Sequence, residues 1–226
     1  MDKRKQVQRI FDSISYRYDF LNHLLSGGVD FYWRKKALKL SEVGKETILL
    51  DVACGTGDFA IAAKKMGVRN IVGADLSLNM LKLFNQKSDW SKGKLVEAVA
   101  EEIPFKDNSF TNITVAFGVR NFYDIFEGFK SFHRILKRNG RATILEFRLP
   151  SNSIVKAFYL FYFKNILPFV GNLISKDEEA YTYLPESVDE FDAKVDLREL
   201  LLEAGFSKVV IKQATFGIVQ IAIAEK

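Results

Sequence analysis

Two acids, with a run of small residues between them, carry the first chemistry legible in this chain. Asp51 follows the apolar and β-branched run Thr47-Ile48-Leu49-Leu50 and precedes Val52-Ala53-Cys54-Gly55-Thr56-Gly57-Asp58. Asp75 comes 24 residues later, closing Asn70-Ile71-Val72-Gly73-Ala74. A turn without side-chain bulk lets a ligand lie against bare backbone at the carboxyl end of a strand. The loop reads A-x-G-x-G: it is not the G-x-G-x-x-G of a dinucleotide site, and it has no lysine for a phosphate loop. An acid ahead of the glycines repels a pyrophosphate but suits a cationic nucleoside that bears an amino acid. An acid at the end of the second strand can accept both hydroxyl protons of a ribose.

Positioning those groups requires an αβ alternation. The run before Asp51 reads as a buried strand, and Asp58 opens a helix with Phe59, Ala62, Ala63 and Met66 at helical spacing, stopped by Gly67. Residues 70–75 read as a second strand, after which Ser77 caps a helix carrying Met80, Leu81 and Phe84. Leu95 to Ala100 and Phe110 to Phe117 are a third and a fourth strand. A helix striped by Ile125, Phe129, Phe132 and Leu136 is expected to end at Gly140, with a fifth strand from Arg141 to Phe147. Ahead of the first strand, Val7, Ile10, Phe11 and Ile14 mark an amphipathic helical cap. Ile154 to Val170 is apolar and aromatic on all sides, so it is expected to be buried against protein or lipid. Lys156, Lys164, Asn165 and Pro168 interrupt it too often for a bilayer span. A helix with Leu197, Leu200, Leu201 and Ala204 leads to two last runs, Val209 to Ile211 and Ile218 to Ala224, expected as an antiparallel pair.

The expected architecture is therefore α/β: one doubly wound, Rossmann-like sheet of about seven strands with a terminal antiparallel hairpin. It divides into a helical cap (1–40), a cofactor-binding core (41–149), a helical lid insertion (150–190) and a closing helix with hairpin (191–226), all in one domain. With 226 residues, 48% hydrophobic and 27% charged, the composition is globular. Net charge +5 admits a weak anionic partner without calling for nucleic acid. Cys54 is the single cysteine, which excludes an intrachain disulfide and a thiolate metal cluster and fits a reducing compartment. His23 and His133 lie far apart in sequence, so no metal site is expected. Met1-Asp2-Lys3-Arg4-Lys5 runs into polar residues, not an apolar signal core, and the expected location is the cytoplasm.

The loop D-x-A-C-G-T-G resembles the first motif of the class I S-adenosylmethionine-dependent methyltransferases, with Ala53 where the first small residue is usually Gly. Further segments narrow the resemblance: Tyr18-Asp19-Phe20-Leu21-Asn22 through Ser26 to Trp33, Phe117-Gly118-Val119-Arg120-Asn121, Arg134-Ile135-Leu136-Lys137 with Leu145-Glu146-Phe147, and Tyr181-Thr182-Tyr183-Leu184. From about residue 7 to the C-terminus they resemble, in order, the ubiquinone/menaquinone biosynthesis C-methyltransferases. Departures are Leu21 for a Met, Asp30 for a His, and Arg138-Asn139-Gly140 for a Pro-Gly-Gly.

The resemblance implies S-adenosylmethionine as cofactor, held by Asp51, Gly55, Thr56, Gly57, Asp75, Leu76, Val99 and Ala100, where Val99 replaces a usual polar residue and Ala100 offers its backbone N–H. It implies methyl transfer to a ring carbon of a polyprenylated quinol, most simply demethylmenaquinol. Arg120 and Asn121 would stabilise the forming oxyanion or a water relaying its proton, and Tyr18, Asn22 and Tyr181 would line the ring pocket. The isoprenoid tail implies transient contact with the inner face of the membrane, through Lys3, Arg4, Lys5, Arg9 and the aromatic helix. Alternatives are a benzoquinol precursor of ubiquinone as acceptor, an O- or N-methyltransferase of another small molecule, and a non-catalytic quinone or isoprenoid carrier.

Overall fold

The apolar run before Asp51 is strand β1 (Ile48–Val52), and its side chains alternate between two cores. In a computed structural model, which describes residues 3–166 and 178–226, Leu49 packs with α2 (Val29–Leu40), α3 (Asp58–Lys65) and α4 (Leu78–Lys87) on one face. Leu50 and Val52 pack with α5 (Ile125–Ile135) and α8 (Leu197–Glu203) on the other. A strand covered on both faces reads as a continuous apolar run, which is why the period-2 pattern is absent here.

Around β1 lies one seven-stranded sheet in the order β3-β2-β1-β4-β5-β7-β6. Strands β1, β2 (Asn70–Asp75), β3 (Leu95–Glu97), β4 (Phe110–Ala116) and β5 (Leu136–Phe147) are parallel. Strand β7 (Val219–Glu225) is antiparallel to both β5 and β6 (Lys208–Ala214), the expected closing pair. Strand order reverses between β1 and β4, so a crevice opens beyond their carboxyl ends, where sheets of this class take ligands.

Helix α1 (Lys3–Leu25) packs on α4 and α2, and α6 (Ser153–Phe161) and α7 (Glu178–Lys194) follow β5. Among the described residues, no helix is long and apolar enough to cross a membrane.

Three elements differ from expectation, and a fourth, in the helical insertion, carries a proline. Helix α5 stops at Ile135 and β5 begins at Leu136, so Gly140 sits inside the strand. A Cβ there would lie 2.7 Å from the Lys137 carbonyl oxygen and 3.0 Å from that of Thr111, which explains a glycine beside the register shift between β4 and β5. Strand β3 ends at Glu97, and Ala100–Glu102 is a single 3-10 turn. Residues 178–194 form a helix that runs through Pro185, held by the buried Val188 and Phe191. The aromatic stretch from 154 is not buried all round. Tyr159 and Phe163 face inward, while Ile154 (67% exposed), Phe158 (72%) and Phe161 (59%) face out. Its end, 167–170, lies outside the described residues.

Candidate active site

At the β1 turn the backbone takes conformations that suit small residues, with φ of 49° at Ala53, 53° at Gly55 and 90° at Gly57. A Cβ on Gly57 would lie 2.3 Å from the Phe84 ring, so the turn closes directly onto α4. Asp51 is fully buried, accepting from Thr114 Oγ1 at 2.7 Å and from the Ala60 N–H at 3.1 Å. It thereby staples β1 to β4 and to the first turn of α3. Burial pushes its carboxyl up to about 7, against the pull of those hydrogen bonds and of Arg34.

Asp75, at the end of β2, accepts from Gly55 N–H at 2.7 Å and Ser77 N–H at 2.8 Å. Each carboxylate oxygen keeps a further lone pair on the side of the cavity. Withdrawal from bulk solvent raises this carboxyl to about 6, with Asp12 adding to the rise.

The cavity beside Asp75 has about 770 Å³ of empty space, counting its open mouth. Gly55, Asp75, Leu76, Val99 and Ala100 line it. So does Asn121, after β4. Val7, Gln8 and Phe11 of α1 cover it. Three tethers hold α1 there: Lys3 donates to the Phe122 carbonyl, Gln8 to the Leu76 carbonyl at 3.3 Å, and Ser77 Oγ to Asp12. Further along, Asp19 accepts from Lys87 at 2.7 Å and from Thr56.

Thus five of the eight cofactor positions expected from sequence, Gly55, Asp75, Leu76, Val99 and Ala100, line one cavity. Asp51 and Thr56 do not line it. They face a small cleft behind the turn, with Arg34 and Asp58. Gly57 lies under the turn against Phe84. Asn22, expected at the ring pocket, is half-buried on α1 and does not line this cavity. The side chains of Tyr18 and Tyr181 lie outside the described residues.

In the polar cluster behind the turn, His23 Nδ1 is 2.9 Å from Asp30, and its Nε2 is 3.6 Å from Asp58. Sequence distance hid this meeting of His23 with two acids. Their ligand atoms lie within 4.8 Å of one another, as a metal site would need, yet the chain's own cations fill the space. Arg34 pairs with both acids, and Lys87 reaches Asp58 at 2.7 Å. Burial pushes the Asp58 carboxyl up, but Lys87 and Arg34 outweigh it and hold it below its ordinary value.

Arg120 and Asn121 sit together after β4 but in different surroundings. The Arg120 guanidinium is buried, donating to Glu146 at 2.7 Å, to the Phe117 carbonyl, and through Nε to Ser187 Oγ at 3.3 Å. Its second terminal nitrogen makes no hydrogen bond among the described residues. Glu146 has no exposed surface, and its carboxylate also takes the Phe147 N–H at 2.9 Å. Asn121 lines the cavity and accepts from Tyr183 Oη at 2.8 Å. Tyr183 belongs to an apolar cluster of Ile10, Tyr159 and Phe163, in which the Tyr159 hydroxyl is buried without a hydrogen-bond partner among the described residues.

Sequence reasoning missed two parts of this site. The stripe of Val7, Ile10 and Phe11 told that α1 buries one face, not that the face roofs a cavity. Glu146 was quoted in a signature without a role, although a charge inside an otherwise apolar strand was the available signal.

A model of the ubiE/COQ5 methyltransferase family matches residues 1–226. The chain is 42% identical over 227 residues to a demethylmenaquinone methyltransferase of Chlorobaculum tepidum, covering 99% of this chain and 93% of that protein. It is 42% identical over 231 residues to a ubiquinone/menaquinone biosynthesis C-methyltransferase, UbiE, of Geotalea uraniireducens, covering 100% and 98%. In fold it is similar to an S-adenosylmethionine-dependent methyltransferase of Thermotoga maritima, with a TM-score of 0.69 at 18% identity over 96% of this chain and 99% of that one.

Proposed function

The chain belongs to the ubiE/COQ5 methyltransferase family, and on that premise we propose that it methylates a ring carbon of a polyprenylated hydroquinone, demethylmenaquinol foremost, with S-adenosylmethionine as donor. The observation that carries this reading is that a cavity for the donor abuts an apolar, tyrosine-bearing cluster. The cavity is that of Gly55 and Asp75, the cluster packs around Ile10, and Asn121, which lines the cavity, is bonded to Tyr183 of the cluster.

The cavity suits a nucleoside. Asp75 would take the ribose hydroxyls, while Leu76, Val99 and Ala100 offer apolar surface and backbone to a base. The Gly55 turn leaves room for the amino-acid end, and Asp51 serves by holding that turn in shape. When bound, S-adenosylmethionine supplies a methyl group on a positively charged sulfur.

The acceptor carbon becomes nucleophilic as a ring hydroxyl loses its proton, so the site must favour negative charge on that oxygen. Burial raises the hydroxyls of Tyr183 and Tyr159 above their ordinary value. Both therefore keep their protons at neutral pH and are not bases; Tyr183 donates its proton to the hydrogen bond with Asn121, which leaves the Tyr159 hydroxyl as a donor for the ring oxygen. Arg120 brings a planar guanidinium, a side chain suited to fork-like hydrogen bonding of an anion. Glu146 and the Phe117 carbonyl orient it, leaving one terminal nitrogen for the oxyanion or for a water that carries its proton away. Holding ring and methyl donor side by side supplies alignment, worth several kcal/mol in such transfers, on the order of 7–11 at best.

Incubating the purified protein with isotopically labelled S-adenosylmethionine and demethylmenaquinol should add one labelled methyl to the quinol by mass analysis. No label on any quinol would sink the reading. Because relatives of equal identity are named for the menaquinone and for the joint ubiquinone/menaquinone pathways, the benzoquinol precursor of ubiquinone is the second acceptor to assay.

The donor's affinity should also depend on pH. Ribose hydroxyls donate to the charged form of Asp75, whose carboxyl stands at about 6 without ligand. Binding is full above that value and weakens as pH falls through it, by up to about tenfold per unit, with proton uptake opposing binding. Calorimetric titrations between pH 5 and 8 read this out, and a flat profile would remove Asp75 from the ribose.

A further inference from the structure

We propose that the outer side of α6, the turn between β6 and β7 and the exposed side of α2 form one face that docks on an anionic lipid bilayer. This deepens the quinol reading, on which it rests for the source of the substrate. Among the described residues, eight of the twelve exposed large apolar side chains fall in these three segments or in the turn that continues α6. On α6, Ile154, Phe158 and Phe161 share one stripe, at i, i+4 and i+7, with Ala157 between them also exposed. Phe216, at the tip of the β6–β7 turn, is 81% exposed. It and Thr215 both take left-handed backbone, φ 55° and 48°, which side-chain-bearing residues rarely adopt. The fold thus holds an aromatic ring outward against its own backbone preference. On α2, Phe31 and Tyr32 face outward as well.

Contacts on the inner side bring these segments together. Trp33 Nε1 of α2 donates to Thr215 Oγ1 at 2.7 Å, and Lys36 Nζ to the Gln213 carbonyl at 3.3 Å, fixing α2 beside the turn. Phe147 packs edge-on to Trp33 and to Phe163, and Ile218, just past the turn, packs against Tyr159 and Phe163. The charge on the face is of one sign. Lys35, Lys36 and Lys39 lie on α2, Lys156 on α6 and Lys212 on β6, while the sole acid of α2, Asp30, is buried with Arg34 and His23. Helix α6 and the segment from Lys208 to Gly217 contain no acid. Aromatic rings and aliphatic side chains flanked by lysines match an interfacial, anionic surface better than a second protein's apolar core. The opposite side of α6 presents Tyr159 and Phe163 to the cluster that reaches Asn121, so a tail leaving the bilayer beside α6 has a short apolar path to the site.

The face replaces the basic start of the chain as the membrane contact. Lys3 donates to the backbone carbonyls of Arg120 and Phe122, and Arg4 lies over the Tyr123 ring and 3.7 Å from Glu102, so these two are turned to the protein.

Flotation of the full chain with phosphatidylethanolamine/phosphatidylglycerol vesicles, against vesicles of phosphatidylcholine alone, tests the proposal. The wild type should float with the anionic vesicles and release in high salt. The triple variant Phe158→Ser, Phe161→Ser, Phe216→Ser should stay at the bottom. Lys35→Gln with Lys39→Gln, both exposed and one helical turn apart, should weaken partitioning about 25-fold, at roughly fivefold per lysine. Both variants should keep the wild-type unfolding temperature and its turnover on a tail-less hydroquinone in solution. Flotation unchanged in both variants, no flotation of the wild type, or a wild-type dimer that the triple variant converts to monomer would overturn the docking face. Flotation as expected without turnover on any hydroquinone would leave the face standing and remove the quinol reading instead.

Discussion

Arg120→Ala should cost about 3–5 kcal/mol of stability, because it leaves the fully buried Glu146 carboxylate without its cation. Its loss of turnover would therefore say little about chemistry. Arg120→Lys separates the two effects: the charge remains, while the fork that holds Glu146, Phe117 and Ser187 at once is lost. Expected for the lysine variant are a modest fall in unfolding temperature, donor affinity within about twofold of wild type, and turnover lower by roughly 10²–10³, the cost typical of removing one oriented donor from an oxyanion. Thermal unfolding, calorimetry and single-turnover rates measure the three. Full turnover in Arg120→Lys, or donor affinity falling in step with rate, would return Arg120 to a purely structural role. Replacing Arg120 and Glu146 together with leucines should destabilise less than Arg120→Ala alone, since no unpaired charge is left inside.

Asp75→Asn should act on the donor cavity. Two ribose hydroxyls that donated to a carboxylate would meet a neutral amide able to accept from only one side, a loss of about 2–3 kcal/mol, or roughly 30- to 150-fold in affinity. Turnover at saturating donor should change far less, because the ribose is remote from the reacting methyl. Stability should change little, because two effects oppose: the amide nitrogen meets the Gly55 or Ser77 N–H that a carboxylate oxygen accepted, at a cost of about 1–3 kcal/mol, while a destabilising buried charge is removed. A carboxyl whose folded value is raised from 3.8 to about 6 destabilises the native state fully above that value and is relieved as pH falls through it, and the amide removes that cost at neutral pH. Unchanged affinity at pH 7.5 would refute the ribose assignment, and a collapsed unfolding temperature would mean that Asp75 chiefly secures the Gly55 turn.

Much of the architecture was legible in the chain because it is written in local terms. Strand β1, the side-chain-poor turn after it, β2 ending at Asp75 and the Ser77 cap on α4 all follow from residues within about ten positions of one another. The places where local reading failed share a cause. The stripe of α5 continues to Leu136 in helical register, yet pairing with β4 claims Leu136 for a strand. A proline disfavours a helix interior, yet α7 runs through Pro185 with Val188 and Phe191 buried beyond it. Tertiary packing outweighed propensity at each.

What the order of residues determined by itself is the sheet's core and the chemistry of the donor side: two acids at strand ends and a glycine turn, whose meaning depends only on backbone geometry close to them. What the tertiary structure alone decided is everything built from distant partners. Arg120 meets Glu146 only because β4 lies beside β5, and α1 roofs the cavity only because Lys3, Gln8 and Asp12 find partners more than sixty residues away. An amphipathic stripe states that a face will be buried and is silent about what it will bury, because the hydrophobic effect has no direction. The buried ion pair, the roof and the exposed aromatic side of α6 therefore had to wait for the folded chain.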